Sequence, residues 1–352
     1  MYKTFTRIMF ALALCYSHWA QAQNDPYYTH YMLNRLAFNP AAAGEKNAIC
    51  ANALTHQQWL GQSADDPAFR NLRGELPGVS NPGVNPSTNT FSITAPFLKK
   101  NQLGLGLQAI QDKLGYQSTL QIRLSASYKF GFGRKLLNGE NDQVLAVGLD
   151  GGMFQGSLDG TQYNPLEPND PIIPLTKVNG NSTDFGFGLL YTNQSFNNLY
   201  VGLSATHITG GSVRYDWQGG GLDYKLTPHW YLLAGTTHKI NPAISLLPSI
   251  LVKQIGSKTQ IDITGRVELN NKFVGGLGFR TGDALSLIAG YYIKPNFYAG
   301  YSYDTNVASG IMRYTSAGTH EVFISYCFDL TPAPPPPVRP RFNTRYLQGY
   351  TY

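Results

Sequence analysis

The chain has 352 residues, of which only 14% are charged, and it is rich in Gly (37), Tyr (23) and Phe (18). Its formal net charge of +6 is small and dispersed, which argues against a nucleic-acid-binding protein. Low charge with many Gly and aromatic residues is unlike an average soluble domain. It is typical of a β-barrel with a lipid-facing band and aromatic girdles.

The first 22 residues have the features of a secretory signal peptide. Lys3 and Arg7 form a basic start, residues 8–16 form a short apolar core, and Ala20-Gln21-Ala22 forms a small-x-small cleavage site. The apolar core is shorter than the ~20 residues that a membrane helix needs. We therefore predict that residues 1–22 are removed on export.

Residues 23–46 form a segment that does not have the pattern of a strand. It contains apolar side chains that favour burial, and Pro40 and Gly44 indicate turns. The sequence leaves two placements open, an amphipathic stretch on the periplasmic rim or a plug-like segment that enters the lumen. Tyr31, Asn34, Asn39 and Pro40 of this segment are candidate contacts with periplasmic partners.

The stretch from Gln102 to Phe130 has the pattern of a β-hairpin. Apolar residues occupy every second position in both halves, with Gly, Ser, Gln and Arg between them, and Asp112-Lys113-Leu114-Gly115 predicts a turn. A period of two places successive side chains on opposite faces of a strand. Each arm has about 10 residues, the length with which a tilted strand crosses a bilayer.

This pattern recurs along most of the chain and predicts an all-β fold, a transmembrane antiparallel β-barrel of about 14 strands over residues 47–330. The predicted strands are Ala48–Gly61, Thr88–Phe97, Gln102–Gln111, Gln117–Phe130, Gln143–Phe154, Thr183–Thr192, Leu199–His207, Thr227–Lys239, Ala243–Lys253, Thr259–Asn270, Lys272–Arg280, Leu285–Ile293, Phe297–Tyr303 and Thr319–Asp329.

The predicted connections alternate in length. Long connections at 62–87, 155–182, 208–226 and 304–318 follow odd-numbered strands, whereas even-numbered strands are mainly followed by short turns, with 131–142 as the exception. Outer-membrane barrels have long outer loops and short periplasmic turns. We therefore expect an outer-membrane protein with both termini in the periplasm.

Function is expected on the long loops and on the C-terminal tail. In the connection 208–226, Arg214, Tyr215 and Trp217 could form an adaptable protein-binding surface, and the alternative is that they are interfacial aromatics or parts of a disordered loop tip. Residues 331–352 form a Pro-rich tail, which is either a periplasmic docking peptide on a stiff spacer or an ordinary terminus. The candidate docking residues of the tail are Arg339, Arg341, Phe342, Arg345, Tyr346 and Tyr350.

The remaining chemistry is sparse. The histidines lack the spacing of a zinc site, and there is no nucleophile elbow or phosphate-binding loop. We predict neither an enzyme nor a cofactor; a barrel hydrolase that uses His207 or His320 is a distant alternative.

Cys50 and Cys327 lie near the two ends of the barrel sequence. They would be neighbours in a closed barrel, so they either form a disulfide or are two unpaired small apolar residues.

Several motifs together resemble the PorP/SprF family of type IX secretion outer-membrane proteins. They are Asp25-Pro26, Tyr31-Met32-x-Asn34, Asn39-Pro40-Ala41-x-Ala43-Gly44, Gln57-Gln58-Trp59-Leu60-Gly61, Asp112-Lys113-x-Gly115, Tyr301-Ser302-Tyr303-Asp304 and Gly318-Thr319-His320-Glu321-Val322. The resemblance covers most of the mature chain, and it adds Trp59 to the candidate partner-binding residues. The long connection after the first strand and the Pro-rich tail depart from the family pattern.

The resemblance implies a barrel of the secretion and gliding machinery. Its implied partners, besides outer-membrane lipid, are a secreted adhesin-like cargo protein and periplasmic secretion-ring or peptidoglycan-associated proteins. The expected function is therefore to dock a secreted surface protein and to link it to periplasmic components. The alternative is an outer-membrane channel for hydrophobic or small solutes.

Overall fold

The computed structural model describes residues 25–46, 48–60, 85–97, 102–136, 141–162, 173–306 and 318–329. Within these ranges, 14 strands form one closed antiparallel barrel, which confirms the predicted fold class. The predicted signal peptide and the Pro-rich tail lie outside the described residues. The strands are β1 (Ala48–Gln57), β2 (Ser87–Phe97), β3 (Leu103–Leu114), β4 (Gln117–Lys135), β5 (Asn141–Asp159), β6 (Lys177–Asn193), β7 (Leu199–Thr206), β8 (Ser212–Trp217), β9 (Gly220–Lys225), β10 (His229–Gly235), β11 (His238–Asn241), β12 (Ile244–Ile255), β13 (Lys258–Leu269), β14 (Phe273–Arg280), β15 (Ala284–Lys294), β16 (Phe297–Asn306) and β17 (Thr319–Asp329).

Three of these strands do not count as separate strands of the barrel wall. β8 and β9 pair only with each other, as a hairpin inside a connection that the sequence analysis treated as a loop. β10 and β11 both pair with β12, so together they form the single strand predicted at Thr227–Lys239, interrupted at residues 236–237. The described residues include short 3-10 helices at Arg35–Ala37, Pro40–Ala42 and Gly160–Gln162. Among the described residues, no helix is long and apolar enough to cross a membrane.

The first and last strands close the barrel. β1 pairs with β17 over its whole length, from Ala48 opposite Asp329 to Gln57 opposite His320. Cys50 lies directly opposite Cys327, and the two form a disulfide across this seam. Of the two alternatives for the cysteines, the structure therefore has the bridge, because the antiparallel register brings the two residues together.

The barrel is apolar outside and polar inside. Outward side chains such as Leu124 and Leu149 are 65% and 64% exposed on the protein surface. Exposed apolar side chains at these positions are expected on the lipid-facing side of a barrel. Inward side chains such as Gln108, Arg123 and Asp150 are buried. The period of two in each strand produces this separation, because one face of every strand points to the lumen.

The two ends of the barrel differ in their connections. We call the end that carries connections 58–86, 160–176, 207–228 and 307–318 the long-loop end, and the opposite end the short-turn end. The described chain finishes at the short-turn end, where Asp329 pairs with Ala48.

Residues 25–46, which we call the lumenal segment, lie inside the barrel. At one end of the segment, Asp25 contacts Thr206, the last residue of β7, at the long-loop end. At the other, Gly44 packs on Ala95 and Gly104 near the short-turn end. The segment therefore crosses the lumen before β1 begins. Residues 1–24 and 330–352 lie outside the described residues, so the placement of both termini in the periplasm stays a prediction.

Candidate functional site

The lumenal segment packs against glycines of the barrel wall. A Cβ added at Gly104 would overlap the main chain of Ala43, and one at Gly148 would overlap the main chain of Ala41. Gly in a strand interior often marks a site where another backbone approaches closely. Glycine at these two wall positions therefore leaves the space that the main chain of the lumenal segment occupies.

Main-chain carbonyls of the segment are held by polar side chains of the wall. The Ser127 hydroxyl donates to the carbonyl of Ala43 (2.7 Å), and the Ser204 hydroxyl donates to that of Phe38 (2.7 Å). Arg123 donates to the carbonyl of Ala37 (3.2 Å). Because a buried main-chain polar group costs free energy when it has no partner, these bonds fix the path of the segment.

Glu321 on β17 forms one polar anchor of the segment. Its Oε1 accepts from the main-chain N–H of His30 (2.7 Å) and lies 2.6 Å from His30 Nδ1. Its Oε2 accepts from the main-chain N–H of Thr29 (2.9 Å) and lies 2.8 Å from Nδ1 of His56 on β1. One buried carboxylate therefore joins the lumenal segment to both strands of the seam.

Asp25 forms a second anchor at the long-loop end. Its carboxylate lies 2.9 Å from Nε2 of His207 and accepts from the hydroxyl of Tyr231 (2.7 Å). Lys253 donates to the main-chain carbonyl of Asp25 (2.5 Å).

These contacts shift the pKa values of the two residues at this anchor that lie outside the strands. Burial lowers the pKa of His207, but the charge of Asp25 and hydrogen bonding to Asp184 and Asp25 outweigh burial and raise it to about 9. Burial raises the pKa of Asp25, but the charges of His207, His229 and Lys253 hold it well below its usual value. Both groups are therefore charged at neutral pH, which favours an ion pair between segment and wall.

Among the described residues, a cavity lies at each end of the lumen, and the two share no lining residue. The one at the short-turn end has about 680 Å³ and is lined by Arg35, Glu45 and Tyr200, among others. The one at the long-loop end has about 210 Å³ and is lined by Asp25 and Arg280, among others. The lumenal segment lines both cavities, one with Met32 and Arg35 and the other with Asp25 and Tyr27.

The β8–β9 hairpin packs on the inner wall at the long-loop end. Tyr215 is 1% exposed, and a Cβ at the inward-facing Gly156 of β5 would overlap its ring. The neighbouring Arg214 points outward, 67% exposed, and pairs with Asp216 at 2.8 Å. Trp217 is half-buried against the same apolar cluster as Tyr215. The hairpin thus has one face that anchors it and one that faces solvent.

The structure places the predicted partner-binding residues in three groups. Tyr31, Asn34, Asn39 and Pro40 are buried in the lumenal segment, where they contact the barrel wall. Trp59 follows β1 at the long-loop end, where its main-chain N–H donates to Thr319 (3.3 Å). Arg214, Tyr215 and Trp217 share the β8–β9 hairpin. The tail residues Arg339, Arg341, Phe342, Arg345, Tyr346 and Tyr350 lie outside the described residues. Contact of any of these residues with a partner stays a prediction.

Sequence reasoning did not find the polar anchors. Glu321 was noticed only within a motif, and Asp25 only beside Pro26. Their importance arises from contacts across 291 residues for His30 and 182 residues for His207, which no local pattern reveals. The available signal was an acidic residue at an inward position of β17, at Glu321.

A family model described as type IX secretion system membrane protein PorP/SprF matches residues 20–326, which include the segment, the hairpin and every strand of the barrel up to most of β17. The chain belongs to the PorP/SprF family. It is thus an outer-membrane barrel of the type IX secretion system. Membership of this system implies that membrane lipid and other secretion-system components are its partners.

Solved structures similar to this PorP/SprF protein are outer-membrane proteins. A Pseudomonas aeruginosa FadL homologue has 13% identity and a TM-score of 0.44, with 83% of this chain and 93% of that chain covered. The Pseudomonas putida toluene transporter TodX has 11% identity and a TM-score of 0.42, with 87% and 95% covered. The translocator domain of the autotransporter NalP from Neisseria meningitidis has 14% identity and a TM-score of 0.38, with 80% and 88% covered. A comparison with curated proteins found no match.

Proposed function

We propose that this PorP/SprF protein is a closed, non-enzymatic anchor that docks a secreted surface protein and links it to periplasmic components. The observation that carries the proposal is the lumenal segment, which is buried and bonded to the wall from one end of the barrel to the other. A barrel whose interior is filled by its own chain offers its ends, rather than its lumen, to other molecules.

The orientation follows from the connections. Because outer-membrane barrels carry their long loops outside, the long-loop end faces the cell exterior and the short-turn end faces the periplasm. The secreted cargo then docks on the solvent-facing side of the β8–β9 hairpin. The Pro-rich tail follows β17 at the short-turn end and engages the periplasmic apparatus.

The alternative of a channel for hydrophobic or small solutes has less support. Solute flow would need a path between the two cavities, and the lumenal segment, which lines both of them, lies on that path. Passage would require the lumenal segment to leave buried polar contacts such as those of Glu321 and Asp25.

Reversing charge on the exposed face of the hairpin is expected to weaken cargo capture. In the double variant Arg214→Glu and Lys225→Glu both changes fall on exposed positions of the face opposite Tyr215, so the hairpin keeps the packing of Tyr215. We expect at least about tenfold less cargo cross-linked to the barrel in intact cells, since a few residues dominate most protein interfaces. The measurement is quantitative cross-linking mass spectrometry.

The matched control is Lys272→Glu, an exposed charge reversal at the short-turn end. It should leave cargo cross-links unchanged. Equal cargo capture by the hairpin variant and wild type, with both barrels folded, would show that the cargo docks elsewhere.

A further inference from the structure

We propose that Asp25, His207 and His229 bind one transition-metal ion of the Zn²⁺ class, which cross-links the lumenal segment to the barrel wall. One ligand comes from the segment, one follows the last residue of β7, and one is the first residue of β10. Their ligand atoms all lie within 4.8 Å of one another, and the two histidines are buried. The proposal is independent of which cargo the barrel docks.

The hydrogen bonds of His229 place the lone pair that a metal needs on Nε2. Its Nδ1 lies 2.7 Å from the carbonyl oxygen of Thr227, which can only accept, so Nδ1 carries the proton. Nε2 therefore has the lone pair, and it accepts a 3.2 Å bond from the main-chain N–H of Asp25. A metal ion would replace this long bond.

His207 is oriented as metal-binding histidines are. Its Nδ1 lies 3.0 Å from Oδ1 of Asp184, and its Nε2 lies 2.9 Å from Oδ1 of Asp25. Metal-ligating histidines usually direct their second nitrogen to a carboxylate or a main-chain carbonyl, which fixes the ring. Here the carboxylate of Asp184 faces Nδ1 of His207, and the main-chain carbonyl of Thr227 faces Nδ1 of His229. A metal ion between His207 and Asp25 would take the place of the shared proton.

The surroundings allow a cation to enter. The cavity of about 210 Å³ at the long-loop end is lined by Asp25 and Asp112, and by Asp283 and Asp304, which pair with the lining Arg280 at 3.0 and 3.4 Å. Lys253, the nearest ammonium, contacts the main-chain carbonyl of Asp25, so it leaves the carboxylate to the metal. Two imidazoles and one carboxylate, with water at a fourth position, are a donor set that suits Zn²⁺ better than Mg²⁺ or Ca²⁺.

The test is metal binding by the full mature chain, purified without a histidine tag and treated with chelator. Calorimetry with Zn²⁺ should give one site per chain, and Mg²⁺ and Ca²⁺ should not bind there. X-ray absorption of the zinc-loaded protein should show nitrogen and oxygen ligands at about 2.0–2.1 Å and no sulfur. Zinc should also slow hydrogen exchange at the start of the lumenal segment, because the metal ties it to the wall.

Two variants and a control decide the assignment. His207→Gln and His229→Gln should each weaken zinc binding by at least about tenfold, whereas His238→Gln, an exposed histidine on β11, should bind as wild type does. If either His207→Gln or His229→Gln fails to fold, zinc binding by the other variant and the X-ray absorption spectrum of the wild type still test the site. The proposal is wrong if wild type takes up no zinc, or if zinc binds equally to the folded cluster variants.

Discussion

Glu321→Ala is expected to release the first half of the lumenal segment from the barrel wall. The change removes the common acceptor of two main-chain N–H groups and two imidazoles, all of them buried. Removing one member of a buried charged network costs on the order of 3–5 kcal/mol, because the remaining groups keep their desolvation penalty without a partner. The outward face of β17 is unchanged, so the barrel itself should stay closed.

The measurement is hydrogen exchange at the amides of Thr29 and His30. At 1.4 kcal/mol per factor of ten, a loss of that size corresponds to a roughly 100-fold or larger increase in exchange through local opening. Glu321→Gln, which keeps one carbonyl acceptor, should give a smaller increase. Asp223→Ala, at an exposed carboxylate of the hairpin, should give none. Unchanged protection of Thr29 and His30 in Glu321→Ala would show that the anchor contributes little.

Replacing Cys50 and Cys327 together by Ser is expected to destabilise the whole barrel. The bridge joins residues 277 apart in sequence, and it holds the first strand to the last. In the chain-entropy model a loop of this length is worth about 5–6 kcal/mol, since the bridge restricts the unfolded chain.

Urea unfolding in detergent, followed on gels that separate folded from unfolded barrel, measures this effect. The double variant should unfold at lower urea than the oxidised wild type, and reductant should lower the wild-type midpoint to match while leaving the variant unchanged. Equal midpoints for oxidised and reduced wild type would show that strand pairing at the seam is sufficient without the bridge.

The strands could be predicted from sequence because their information is local. In β3 and β4 each side chain alternates between lipid and lumen, so the period of two is visible in the residues themselves. The β8–β9 hairpin was missed although Val213, Tyr215 and Trp217 alternate with polar residues, because the strands are short and lie within a long connection.

The interior of the barrel could not be predicted in the same way. Buried Tyr31 and Asn34 are compatible in sequence with either a rim or a lumen, and only the closed wall around them decides between the two. The anchor residues behave similarly, since His56 and Glu321 become partners through the closing pair of strands. Residues that act through contacts between distant parts of the chain need the three-dimensional structure to be recognised.

Ion conductance in planar bilayers measures whether the protein's own chain closes the lumen. Wild type should show no steady conductance. Gly148→Leu should open a pore, because a side chain there overlaps Pro40 and Ala41 of the lumenal segment, whereas Gly265→Leu, at an outward position with nothing within 4 Å, should stay closed. A steady, ohmic conductance of the wild-type barrel would contradict the account.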